Sequence, residues 1–228
     1  MTRKDYLKLS LKQKAKLIGE MLKEDYPFVE TPLIHKNEFE LLIAATLSPQ
    51  TKDETTNLVT PVLFTKYPDV EALAKAKPED IEKIIKPINY YKTKAKRITA
   101  LSKMLIKDFK GKVPLKMDDL VKLPGVGRKV ANVVINEWFV YRAEKKGLAD
   151  DVQPEGIVVD THVLRVARRL GLTKNTDPRK VELDLMRLFP KSEWRKVSLR
   201  MIYHGREWSQ AKNPKYKDSE KWRAIYGE

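Results

Sequence analysis

The 228-residue chain contains no cysteine and only three histidines. The first absence excludes disulfides, thiol nucleophiles and every cysteine-ligated metal site. His35, His162 and His204 are far apart in sequence and share no ligand spacing, so neither a metal nor any other cofactor is expected. Long apolar runs are missing as well. The longest, "LLIAA" with its neighbours, is far too short to cross a bilayer, and the stretch from Met1 to Pro27 holds no apolar core of signal-peptide length. The expectation is a soluble, intracellular monomer with no membrane partner. Strand-like alternation is scarce, and neither repeats nor low-complexity segments are found. What the chain has in surplus is positive charge: 46 Lys and Arg against 31 Asp and Glu give a formal net charge of +15. Such an excess points to a polyanionic partner, most simply nucleic acid, although a solvated lysine-rich face uses the same residues.

Helical periodicity dominates the rest. Leu7, Leu11, Leu17, Ile18 and Leu22 repeat like one helix over 7–24, and the nearly all-apolar 38–47 reads as a buried helix. Further helices are expected at about 54–66, 69–76, 79–86, 93–109, 117–123, 128–142, 161–171, 178–188 and 193–204, punctuated by prolines and glycines. The fold class is therefore all-α. One long polar connector, "RAEKKGLADDVQPEG" at 142–156, stands out.

The chemistry concentrates in "LPGVGRKVANVVINEWF", Leu123 to Phe139. A phosphate-binding P-loop needs four residues between its glycines and a Lys-Ser/Thr pair, whereas one residue separates Gly125 from Gly127 and Val130 follows Lys129. A dinucleotide fingerprint needs a preceding strand and Gly or Ala at position 130. The upstream "MDDLVKL" carries Leu120 and Leu123 at helical spacing instead, leaving a helix, a Pro-Gly-Val-Gly hairpin and a second helix. Gly125 and Gly127 allow a tight turn with unshielded N–H groups, and the helix starting near Arg128 adds unpaired N–H groups and the positive end of its dipole. Such a turn suits a phosphate oxygen. An ordinary helix-helix turn would use the same glycines. Lys129 lies in the first helical turn, where the dipole disfavours an ammonium ion. Burial beside Ala131 and Val133 would disfavour it further and leave a nucleophilic amine. A phosphate-contacting or solvated lysine is the plainer alternative.

The second constellation is "GIVVDTHVLRVARRLGL", 156–172. Apolar residues lead into Asp160, and Val163, Leu164, Ala167 and Leu170 then share one helical face. Asp160 is placed as an N-cap. The same surroundings keep its carboxylate ionised, and an ionised carboxylate facing a cleft stabilises a developing cation.

"LPGVGRKVANVV" followed by "VVDTHVLRVARR" resembles the endonuclease III branch of the helix-hairpin-helix DNA glycosylase superfamily. "FELLIAATLSPQTKD", "YYKTKAKRI", "GKVP" and "HGRE" extend the resemblance from about residue 30 to 207. The resemblance implies a six-helix barrel domain at 31–141 with its helix-hairpin-helix at about 117–139. A second helical domain would be made from 1–30 and 142–228, with DNA bound in the cleft between the two. It implies a bifunctional DNA glycosylase and AP lyase of base excision repair, acting on duplex DNA with damaged bases, oxidised pyrimidines among them, or abasic sites. Carried over by position, Lys129 is the lysine that attacks the sugar and Asp160 the catalytic aspartate. Gln50 matches the residue that fills the space left by the extruded base, and His162 follows the aspartate near DNA, as in the family. The hairpin residues Gly125, Gly127 and Arg128 face the DNA backbone. Tyr90 stands where the family commonly places an apolar wedge. The C-terminus departs further: relatives usually carry four cysteines there for an iron-sulfur cluster, and this chain reads "HGREWSQAKNPKYKDSEKWRAIYGE". No cluster is expected, and packing of Trp208, Tyr216, Trp222 and Tyr226 would replace its cohesion. The alternatives are a mismatch-directed thymine or uracil glycosylase of the same superfamily and a non-catalytic helix-hairpin-helix DNA-binding protein.

Overall fold

A computed structural model describes residues 2–148 and 152–227. Every regular element among the described residues is helical, and the chain divides into two compact units, Thr31–Val152 and Met1–Glu30 with Gln153–Glu228.

The Thr31–Val152 unit is built around Glu38–Leu47. Asn37 caps this helix by accepting from the Glu40 N–H at 2.8 Å, and every residue from Phe39 to Leu47 is buried. An apolar sequence on all sides makes this the central helix. Around it lie Asp53–Lys66, Val70–Lys75, Pro78–Ile84, Tyr91–Phe109, Met117–Leu120 and Arg128–Val134. Leu63, Leu73, Ile81, Ile98, Leu105, Ala131 and Val134 complete its core. The helix expected at 128–142 contains a π-helical segment, Ile135–Val140, and continues as Tyr141–Lys145. The polar connector therefore starts later than its composition suggests. Gly147, at φ +72°, ends the helix, with the Leu148 N–H bonded to the Ala143 carbonyl at 2.8 Å. Residues 149–151 of that connector lie outside the described residues.

The second unit differs from expectation at both chain ends. The helix expected over 7–24 is two, Arg3–Lys8 and Leu11–Asp25, because Ser10 and Gln13 form a capping box that starts the second afresh. Leu7 and Leu11 are consequently exposed, and the buried face is Tyr6, Ala15, Ile18, Met21 and Leu22. Near the C-terminus, Glu220–Tyr226 is a helix in a stretch whose charge hides its periodicity. Ser219 caps it, and Trp222 and Ile225, three apart, are buried. Between these ends, Thr161–Arg169, Pro178–Leu188 and Trp194–Glu207 supply Val163, Val166, Leu185 and Met201 to the core.

Candidate active site

The hairpin residues sit in one tight turn. The Leu123 N–H bonds the Leu120 carbonyl at 3.1 Å and the Val126 N–H bonds the Leu123 carbonyl at 3.0 Å, which ends one helix and folds the chain back into Arg128–Val134. Val126 is buried and anchors the turn from below. The two glycines differ. Gly125 has φ +84°, and a Cβ there would meet Arg97 Cδ at 3.1 Å and Thr46 Cγ2 at 3.2 Å, so its backbone and its space both require glycine. Gly127 has extended backbone (φ −93°, ψ 174°), and a Cβ there would meet nothing within 4 Å. The fold places no demand for glycine at 127. What glycine does provide is an open approach to the start of a helix that has no side-chain cap.

Lys129 follows two residues later and is exposed, not buried beside Ala131 and Val133 as expected. On this seven-residue helix Val130, Ala131 and Val134 face inward, and Lys129 falls on the opposite side. Arg128 is half-buried.

Gln50 and Tyr90, 40 positions apart in sequence, are held together. Both are non-glycine residues in the left-handed region, each at φ +59°, and both are exposed, Tyr90 by 67%. Left-handed backbone costs such residues on the order of 1 to 3 kcal/mol, so neighbouring structure has to impose it. Asn89 does so from one side: its Nδ2 donates to the Gln50 carbonyl, and its N–H donates to Thr51 Oγ1 at 3.3 Å. Lys94 does so from below. Its side chain is buried, and Nζ donates to the carbonyls of Leu47 and Pro49, each at 2.7 Å, and to Thr51 Oγ1 at 3.3 Å. Burial, with Arg97 nearby, pushes the Lys94 amine down to about 8, so at neutral pH it remains a charged donor of three bonds. Its contribution was missed from sequence.

In the other unit, Asp160 caps Thr161–Arg169 as expected. Its Oδ1 accepts from the N–H groups of His162 and Val163, both at 2.8 Å. His162 is half-buried and keeps its Nδ1 3.0 Å from Arg165 Nη2. Burial lowers its pKa, Asp160 pulls it up, and Arg165 and Arg206 push it down again. Gly205, on Trp194–Glu207, is the floor beneath it: a Cβ there would stand 3.0 Å from His162 Cβ and 3.1 Å from Val166 Cγ2. The glycine of "HGRE" is thus needed for close helix packing at the aspartate's helix.

With this geometry in view, comparison with known proteins gives one answer. The family described as HhH-GPD superfamily base excision DNA repair protein matches residues 43–191. The endonuclease III of Synechocystis sp. is 42% identical over 205 residues, covering 90% of this chain and 88% of the relative. The chain belongs to the HhH-GPD superfamily. Its place in the endonuclease III branch is supported by two solved structures as well. A non-covalent endonuclease III-DNA complex superposes with a TM-score of 0.84 at 37% identity, covering 95% of both chains. A trapped endonuclease III-DNA covalent intermediate gives 0.83 at 38%, covering 93% of both.

In this HhH-GPD chain the C-terminal residues gather around His204. Its ring lies 4.0 Å from that of Trp222, its Nε2 is 2.7 Å from Tyr226 Oη, and Tyr226 stacks on Tyr216 at 4.4 Å. Trp222 Nε1 donates to Asp25 Oδ2 at 2.7 Å, and Lys221 bridges Glu24 and Asp25. Arg165 and Arg169 tie down the following turn by donating to the Ser209 carbonyl at 2.8 and 3.1 Å.

Proposed function

We propose that the protein is a bifunctional DNA glycosylase and AP lyase of base excision repair, with Lys129 as nucleophile and Asp160 as its electrostatic partner. Damaged duplex DNA is bent, and the damaged nucleotide is turned out of the stack to reach the chemistry. The Lys129 amine attacks C1′ of the sugar, and the glycosidic electron pair leaves with the base, which takes a proton. Positive charge builds on the sugar as that bond breaks, and the Asp160 carboxylate stabilises it. The amine loses its proton and the sugar ring opens to a Schiff base. Removal of a C2′ proton then expels the 3′ phosphate, and water hydrolyses the imine to free Lys129.

The observation that carries this reading is the pairing of Gly127 with Lys129. At Gly127 the fold leaves a side chain's space open for no internal reason, and an exposed amine stands two residues on. A phosphate oxygen approaching the uncapped helix start explains the first and places the sugar within reach of the second. Gln50 and Tyr90 fill and wedge the duplex, Arg128 and Gly125 shape the phosphate contact, and His162 lies beside the DNA. The resemblance to endonuclease III implies oxidised pyrimidines and abasic sites as substrates, and action on chromosomal DNA places the protein in the cytoplasm at the nucleoid. By the same resemblance residues 31–141, within the Thr31–Val152 unit, are taken as the barrel domain.

The protein works without an iron-sulfur cluster in this reading. The 228 residues include no thiolate to hold one, and the His204, Trp222, Tyr226 and Tyr216 stack supplies the C-terminal cohesion.

The test is borohydride trapping across duplexes carrying oxidised pyrimidines, uracil or thymine opposite guanine, oxidised guanine, and plain abasic sites. A stable protein-DNA adduct mapping to Lys129, strongest with oxidised pyrimidines and abasic sites, is expected, and Lys129→Gln should abolish trapping and nicking together while binding an abasic analogue. An adduct on another residue, or full base release by Lys129→Gln, refutes the assignment.

A further inference from the structure

Gln50 and Tyr90 stand on two separate loops, yet a wedge and a filler act on one base pair and must keep a fixed spacing. Neither residue's own preferences supply it, since both are held in left-handed backbone. We propose that Lys94 is a positioning residue for base extrusion: its buried ammonium group fixes the Pro49–Thr51 backbone, and Asn89 passes that position on to Tyr90. The inference rests on the reading that Gln50 and Tyr90 enter the duplex.

Three observations carry it. Lys94 is 5% exposed, and its three Nζ contacts all fall between Leu47 and Thr51, the loop that presents Gln50. Thr51 Oγ1 is shared: it meets Nζ at 3.3 Å and accepts the N–H of Asn89, the residue preceding Tyr90, also at 3.3 Å. Asn89 Nδ2 closes the loop on the Gln50 carbonyl. The path from Nζ to Tyr90 thus runs through hydrogen bonds that have no other evident use. A lysine kept only for stability would be poorly suited to this place, because a buried ammonium is costly and an apolar side chain with a differently ended Glu38–Leu47 helix would serve. The charge becomes useful where several carbonyls of an irregular loop must converge on one point.

The experiment places 2-aminopurine opposite an abasic-site analogue and reads its fluorescence at saturating protein, which reports the partner base's unstacking independently of affinity. Wild type should give a large rise. Gln50→Ala and Tyr90→Ala should reduce it, and if they do not, the reading of those two residues fails. Lys94→Met should lower the amplitude about as far as Gln50→Ala, with the Lys94→Met and Gln50→Ala double variant no lower than either single one. Asn89→Ala, at an exposed position that leaves the core intact, should reproduce the Tyr90→Ala loss even if Lys94→Met does not fold. Affinity for the same duplex should drop about tenfold in both Lys94→Met and Asn89→Ala. Full amplitude in Asn89→Ala or in folded Lys94→Met, while Gln50→Ala and Tyr90→Ala lose theirs, overturns the inference.

Discussion

Acid should weaken this protein through His204 before it weakens it through any carboxylate. The ring is fully buried, packed 4.0 Å from Trp222 and bonded to Tyr226 Oη, and burial lowers its pKa to about 4 despite the pull of Asp25. In the unfolded chain the same imidazole titrates near its ordinary 6.5. Between these two values the unfolded state binds a proton that the folded state does not, so stability falls as pH drops from about 6.5 towards 4 and is unaffected above that window. Integrated from about pH 7.5 to about pH 4.5, the loss is roughly 2.5 kcal/mol, a large share of the stability of a typical domain. Urea unfolding followed by tryptophan fluorescence at the two pH values measures it. His204→Phe keeps the ring stack but cannot be protonated, so it should lose about 1 kcal/mol at neutral pH with its Tyr226 bond and then be flatter than wild type by that 2.5 kcal/mol. His162 titrates in both proteins and cancels from the difference. Equal acid losses in wild type and His204→Phe would refute the account.

Gly127→Ala should change stability by less than about 1 kcal/mol and weaken duplex binding, whereas Gly125→Ala should cost on the order of 2 kcal/mol or more in denaturation; if the two behave alike, the hairpin glycines share one role. Asp160→Asn keeps an N-cap acceptor, so urea midpoints should hold while single-turnover base excision slows about a hundredfold or more; unchanged excision would leave Asp160 as a cap alone. Duplex affinity should fall steeply with salt, in proportion to the phosphates neutralised, and a flat response in fluorescence titrations would mean that the +15 charge is not a DNA footprint.

Where apolar residues keep a helical register, on one face or all round, sequence was enough. Glu38–Leu47, Asp53–Lys66, Pro178–Leu188 and Trp194–Glu207 lie close to their expected spans. The failures have local causes. Leu7 and Leu11 share a helical repeat with Leu17 and Ile18, but Ser10 offers its oxygen to the Gln13 N–H, and a cap beats a weak periodicity. The π-helical Ile135–Val140 changes the period inside a stretch of mixed residues, INEWFV, that fits either geometry. Glu220–Tyr226 shows only a few apolar residues among charges, and its stability comes from what Trp222 meets elsewhere, at Asp25 and His204.

The candidate site divides in the same way. The hairpin and the Asp160 cap are local, written in glycines and a capping carboxylate within a few residues of one another, and could be read directly. Gln50 and Tyr90 could be picked out only by resemblance, because no residue type announces a left-handed backbone except glycine and, weakly, asparagine. Their link is tertiary, spanning 39 positions from Asn89 to the Gln50 carbonyl. Lys94 did leave a trace. In Tyr91–Phe109 the buried face runs through Ala95, Ile98, Leu101, Ser102 and Leu105, and Lys94 lies four residues before Ile98 on that same stripe. A lysine on the inward face cannot stay solvated, so it must either lift its charge to the surface along its stem or find buried acceptors. The first course was closed to it, four residues into a helix packed against the core, and the acceptors nearest its amine were the carbonyls freed where Glu38–Leu47 ends. A charged residue out of pattern on an apolar stripe therefore points to the irregular loop it holds, and here that loop is the one carrying Gln50.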